Sequence, residues 1–283
     1  MPGQPVTKDT FMRQAEKMLN LGSDGFKMYE GKPNARKMIG GRSLLDPAYD
    51  SFFALLEERS APVVIHMGDP ESFWDPRLCE EENFYKGWFF GDSSYASLHT
   101  IQEEILTLLK RYPKLRIVVP QLAFLPEKPE QLGEWLEQYP NLYFDLGPTP
   151  EIKRELRSTD PALRDLISKW HNRIFFSCTG VCPDGKSVVA KSKQYHELLL
   201  SCGWEISVLD DIFNRTFRNL FPNSSIVDKD RCIDYCQELI SQMNKLTIRV
   251  KPYEQIKLRI EEVRSLFDGV NQSFILPIED ISS

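Results

Sequence analysis

Apolar runs of about five residues, each ending in polar side chains, recur at 25–29, 62–66, 115–119, 142–146 and 173–177. Their near-continuous apolar character predicts strands buried on both faces, as in a parallel sheet. Between them the apolar positions change to a period near 3.6 and predict helices. The stripes are Phe11, Ala15, Met18 and Leu19; Phe52, Phe53, Leu55 and Leu56; Ile101, Ile105, Leu108 and Leu109; Leu132, Trp135 and Leu136; and Leu163, Leu166, Ile167 and Trp170. Asp46-Pro47 and Asp160-Pro161 open two of these helices with a capping side chain followed by a ring that fixes φ. Strand and helix alternating at this spacing read as βα units. After residue 205 only helical stripes follow: Leu209, Ile212, Phe213 and Leu220; Cys232, Cys236, Leu239, Ile240 and Met243; and Ile256, Ile260, Val263 and Phe267. The expected fold is therefore α/β, with about five parallel strands over residues 1–204 and a helical C-terminal segment, 205–283, packed on them. Five strands fit an open doubly wound sheet or an incomplete barrel, and both place a site at the carboxyl ends of the strands.

Composition narrows the functional classes. With 283 residues, 35 Lys+Arg and 41 Asp+Glu, the net charge is −6 and no like-charge run is long. That argues against a nucleic-acid surface or an anionic-membrane surface, both of which need clustered cations. No apolar stretch approaches the ~18 residues of a membrane span. The first ten residues carry no apolar leader, so a cytoplasmic chain with reduced thiols is expected.

Candidate chemistry gathers at the strand ends. Lys27, Glu30 and Lys32 follow the first run, with Arg36 and Lys37 close behind; these cations either hold a carboxylate or phosphate, or form a solvated loop. His66 ends the second run and suits metal binding or proton transfer, a core hydrogen bond being the competing role. Asp69 either orients that imidazole or caps a turn. The segments Phe73-Trp74-Asp75-Pro76 and 88–92 supply aromatics for a pocket wall or for plain packing. Asp145 serves as base or ligand, or points into a helix N-terminus. Cys178 and Cys182 follow the fifth run without the second pair a zinc site needs. His99, His171 and His196 fall in helices or at their ends, and no P-loop, GxSxG, GxGxxG or HExxH motif is present.

The ordered set 24–33, 64–75, 139–145 and 173–176 resembles the amidohydrolase-related family. This is the branch of metal-dependent TIM-barrel hydrolases that includes the aminocarboxymuconate-semialdehyde decarboxylase type. The similarity runs from about residue 10 to about residue 245. It implies that the five runs are the fourth to eighth strands of a (β/α) barrel, in an N-terminally truncated, degenerate member. The family's metal is held by His-x-His on the first strand, His on the fifth and sixth, and Asp on the eighth. Only His66 fits. Gln121 stands at the sixth-strand position, Thr179 replaces the Asp, and the His-x-His strand has no counterpart.

A hydrolytic metal needs about three protein ligands and an open position. The resemblance therefore implies a protein without a metal cofactor that binds a small anionic ligand or a partner subunit, through Glu30, Lys32, Arg36, Asp69, Trp74, Gln121 and Thr179. The alternative is an active hydrolase or decarboxylase-type lyase. It would run metal-free on His66, Lys27 and Asp145, hold weak zinc through His66, or have its site completed by another chain. An open sheet leaves two unpaired edges, so a homo-oligomer or an obligate partner is expected to cover them.

Overall fold

The computed structural model describes residues 9–177, 186–222 and 229–244, together with 258 and 261. The chain divides into two compact units, Met1–Leu19 with Asp24–Ser224, and Asn20–Ser23 with Ser225–Ser283.

The first unit is built on five parallel strands in sequential order: β1 (Phe26–Met28), β2 (Val63–Ile65), β3 (Ile117–Val119), β4 (Leu142–Asp145) and β5 (Ile174–Phe175). All five lie within the apolar runs. The helices of this unit are α1 (Thr10–Asn20), α2 (Pro33–Met38), α3 (Asp50–Glu58), α4 (Glu81–Tyr85), α5 (Leu98–Arg111), α6 (Pro129–Gln138), α7 (Pro150–Arg157), α8 (Ala162–Lys169), α9 (Lys186–Leu200), α10 (Ile206–Asp210) and α11 (Thr216–Leu220). In the second unit, α12 (Lys229–Asn244) is tied to the 20–23 segment where Arg231 Nη1 donates to Asn20 O at 3.2 Å.

The helix starts obey local chemistry. Ser97 Oγ accepts from Thr100 N–H at 3.0 Å to open α5, and Thr149 Oγ1 accepts from Ile152 N–H at 3.1 Å to open α7. Asp46 caps a single 3-10 turn, Pro47–Tyr49, that runs into α3, and Asp160 accepts from Ala162 N–H at the start of α8.

Strand register fixes two faces. Lys27 pairs with Val64, Val64 with Val118, Val118 with Tyr143, and Asp145 with Phe175. Side chains alternate along a strand, so these residues share one face. The opposite face carries Met28, Val63, Ile65, Ile117, Val119, Leu142, Phe144 and Ile174. All are buried in the main core with Phe53, Ile105, Leu136 and Ile167 from α3, α5, α6 and α8.

The first face is covered differently. Val118 and Phe175 pack with Leu220, and Val64, Tyr143 and Phe221 close around them. The Phe175 and Phe217 rings are 6.0 Å apart, and Arg116 Nη1 donates to Asn219 O at 3.0 Å. Gly25 is required here: a Cβ would meet Pro62 O at 2.4 Å and the Phe221 ring at 3.2 Å. Beyond β5, Phe176 N–H donates to Ile212 O, in a π turn (Asp211–Arg215) that joins α10 to α11. The β5 edge is thus lined by the chain's own helix, whereas the outer edge of β1 is unpaired among the described residues. No helix of the described residues is long and apolar enough to cross a membrane.

Candidate functional site at the strand ends

The loops after β1 and β2 meet backbone to backbone. Gly31 O accepts from Gly68 N–H at 3.0 Å, and a Cβ on Gly31 would fall 1.5 Å from His66 O. Gly68 has φ 85°, a conformation that suits glycine.

His66 stands at the head of this pair, 7% exposed, with the Tyr29 ring stacked on it at 5.7 Å. Its Nδ1 is buried without a hydrogen-bond partner. Burial first, and then the cations of Lys32 and Lys27, depress its pKa to about 3. At neutral pH His66 is therefore a lone-pair donor and not a proton carrier. Asp69 does not orient the imidazole; it pairs with Lys32 Nζ at 3.3 Å. Burial raises its carboxyl to about 6 against the opposing pull of Lys32.

The next three strand ends converge on Gly147, where a Cβ would lie 2.9 Å from Gln121 Cγ, 3.0 Å from Asp145 Oδ1 and 3.2 Å from Ser177 Oγ. Asp145 Oδ1 accepts from Gln121 N–H at 2.7 Å and from Gly147 N–H at 2.8 Å, and Ser177 also hydrogen-bonds its carboxylate. Burial nevertheless holds its pKa above the usual carboxylate value. Asp145 thus staples the loop after β3 to the loop after β4. The residues it fastens are unusual: Gln121, Leu122, Ala123 and Phe124 have φ of 57°, 52°, 54° and 57°. A left-handed turn of four non-glycine residues costs roughly 1–2 kcal/mol per residue and needs such anchoring.

A cleft of about 500 Å³ opens beside these loops, lined among others by Lys32, Asp69, Gln121, Phe73, Trp88 and Phe124. Three predicted site residues meet there: Lys32, Asp69 and Gln121. Others are engaged elsewhere. Arg36 is buried and donates from Nη1 and Nη2 to Glu104 at 2.9 and 2.8 Å. Glu30 accepts from Tyr49 OH at 2.9 Å, and Trp74 Nε1 donates to Ala96 O at 3.1 Å. Lys27 Nζ lies 5.2 Å from the Tyr29 ring centroid. Thr179, Cys178 and Cys182 lie outside the described residues.

Some lining residues were not anticipated: Asn83 lies within the short α4, and Thr149 and Glu151 at the start of α7, with no motif to mark them. Tyr195 on α9 was missed as well. Its hydroxyl is buried without a partner, and burial together with the Asp145 charge raises its pKa.

The metal implied by the resemblance does not fit the donors found. Of the implied ligand positions, one carries the His66 imidazole and another Gln121, and among the described residues no three His, Cys, Asp or Glu side chains are grouped as a metal site requires.

Comparison with solved structures gives an uncharacterized TIM-barrel protein from Bordetella bronchiseptica. Its TM-score is 0.51 at 14% identity, and the match covers 79% of this chain and 66% of that one. An amidohydrolase 2 from Bifidobacterium longum subsp. infantis gives a TM-score of 0.40 at 14% identity, covering 71% and 61%. The chain thus spans just under two thirds of the length of each. The first likeness extends the parallel sheet to an incomplete TIM-like barrel and speaks for fold alone. No curated protein matches. The amidohydrolase family model matches residues 4–177, more than half of the sequence, and the chain therefore belongs to the amidohydrolase family.

Proposed function

We propose that this family member has given up metal-dependent hydrolysis and holds a small organic molecule in the strand-end cleft. One observation carries the reading. Where the family places a sixth-strand imidazole, this chain places Gln121, whose backbone N–H is held by Asp145 and which lines the cleft. An amide oxygen is a weak ligand for zinc and supplies no charge to balance the ion. Lys32, two asparagines and aromatic rings provide what a reversible binding site needs: a few polar groups on apolar walls.

The test is metal content and affinity. Elemental analysis of the purified protein and calorimetric titration with Zn²⁺ and Mn²⁺ are expected to show substoichiometric metal and no tight site. One equivalent surviving dialysis, and lost in His66→Ala, would overturn the reading.

A second reading is favoured by His66, a neutral imidazole whose buried Nδ1 has no hydrogen-bond partner. In it the chain is a hydrolase or lyase whose site another polypeptide completes. A homo-oligomer or an obligate partner at the unpaired β1 edge belongs to both readings, and mass in solution by light scattering checks it.

A further inference from the structure

We infer that the ligand of the strand-end cleft is an organic cation, an amine or quaternary ammonium on a flat apolar body, rather than an anion. The inference rests on reading the cleft as a ligand site and adds its chemical class.

The cation-rich segment 27–37 is the reason to expect an anion, yet most of its cations lie away from the cleft lining. Arg36 is locked to Glu104 and Lys27 lies by Tyr29. Lys37 Nζ donates to Ser94 Oγ at 2.8 Å and sits 4.2 Å from the Tyr95 ring. Only Lys32 reaches the cleft, and Asp69 neutralises it at 3.3 Å. The lining then retains two further carboxylates, Glu80 and Glu151, neither with an ion-pair partner among the described residues. Counting Lys32 and Asp69 as one neutral pair, the wall carries a net charge of −2 when all four groups are ionised. A carboxylate or phosphate entering there meets repulsion, and an ammonium meets attraction.

The apolar part of the wall suits the same ligand. Phe73 and Trp88 are stacked at 6.1 Å with an interplanar angle of 23°, and Phe124 completes the lining. Aromatic faces attract cations through the ring quadrupole, tryptophan most strongly. Trp88 already displays this: Lys86 Nζ lies 4.9 Å from its centroid. The side chains of Asn83 and Gln121 add amide carbonyl oxygens to the lining, which can accept N–H donors.

Matched probes decide the matter. 2-Phenylethylamine, its N,N,N-trimethyl analogue and 3-phenylpropionate share a ring and a short tether and differ in charge. Calorimetry on the full chain in low salt is expected to show both cations binding at least 10-fold more tightly than the carboxylate. Glu151→Gln and Glu80→Gln are each expected to weaken the amines several-fold and to narrow that ratio. Trp88→Leu should weaken the trimethyl probe more than it weakens 3-phenylpropionate. Equal or tighter binding of 3-phenylpropionate would overturn the cation assignment while leaving the cleft a ligand site. No binding by any of the three would sink the ligand site and the assignment together, while the metal titration stands apart from both.

Discussion

Glu104 holds four donors in the interior, and its removal is the most quantitative test of this structure. Its carboxylate accepts from both terminal nitrogens of Arg36, from Ser43 Oγ at 2.7 Å and from Leu44 N–H at 3.0 Å. Arg36 and Glu104 are each 7% exposed, so Glu104→Ala leaves a guanidinium without its counter-charge and orphans a buried amide. Breaking a buried pair from one side costs about 3–5 kcal/mol, a large part of the ~5–15 kcal/mol that holds a domain together. The double variant Arg36→Met, Glu104→Met removes both charges at similar volume. It still loses the Ser43 and Leu44 bonds, about 1–2 kcal/mol. The double variant should therefore be about 2 kcal/mol more stable than Glu104→Ala. With a urea slope of about 2 kcal/mol/M, the midpoints should differ by about 1 M. Urea unfolding followed by far-UV circular dichroism at several protein concentrations reads the difference directly. A double variant as unstable as the single one would refute the reasoning. So would a loss below about 1 kcal/mol in Glu104→Ala.

Two further predictions concern the strand-end loops. Gly31→Ala places a methyl on the His66 carbonyl, backbone against backbone, and should cost about 3 kcal/mol, or ~6–12 °C in Tm; a drop under ~3 °C would count against the loop contact. His66 and Asp69 should give opposite pH dependences. The folded pKa of His66, about 3, lies below its ordinary 6.5, so its contribution is full above pH 6.5 and lost as pH falls toward 3. The folded pKa of Asp69, about 6, lies above its ordinary 3.8, so its contribution is full below 3.8 and lost as pH rises through 6. Relative to wild type, His66→Gln should gain stability in acid, and Asp69→Asn should gain it between pH 4 and 7. Urea midpoints that shift in parallel for all three proteins over pH 4–7 would contradict the assignment.

Much of the architecture was legible because burial writes itself into short-range pattern. Every observed strand falls inside an apolar run, and the apolar stripes of α3, α5, α6 and α8 are the ones that meet the sheet. Lys32 and Asp69 were named because strand ends mark candidate sites, and Gln121 through the family resemblance; the fold brings all three to one cleft. Long-range partners were not legible. Nothing near Arg36 announces Glu104, 68 residues away, and the basic loop looked free until its counter-charges were placed. The left-handed turn at 121–124 was equally hidden, since Gln-Leu-Ala-Phe contains no glycine to advertise positive φ. Asp145 appeared as a possible base, but its role as a fastener depends on amides at Gln121 and Gly147 that only the fold brings to it.

The placement of α11 has a consequence for barrel completion. Leu220 and Phe221 are seated on the sheet surface that a closed barrel would turn toward its remaining strands. A polypeptide that closed strands over that face would compete with the short helix for it, so closure and helix seating would be rival occupations of one surface. The apparent affinity of an incoming half-barrel is then discounted by the population of the helix-out state, and a weakened α11 would make the protein a better acceptor.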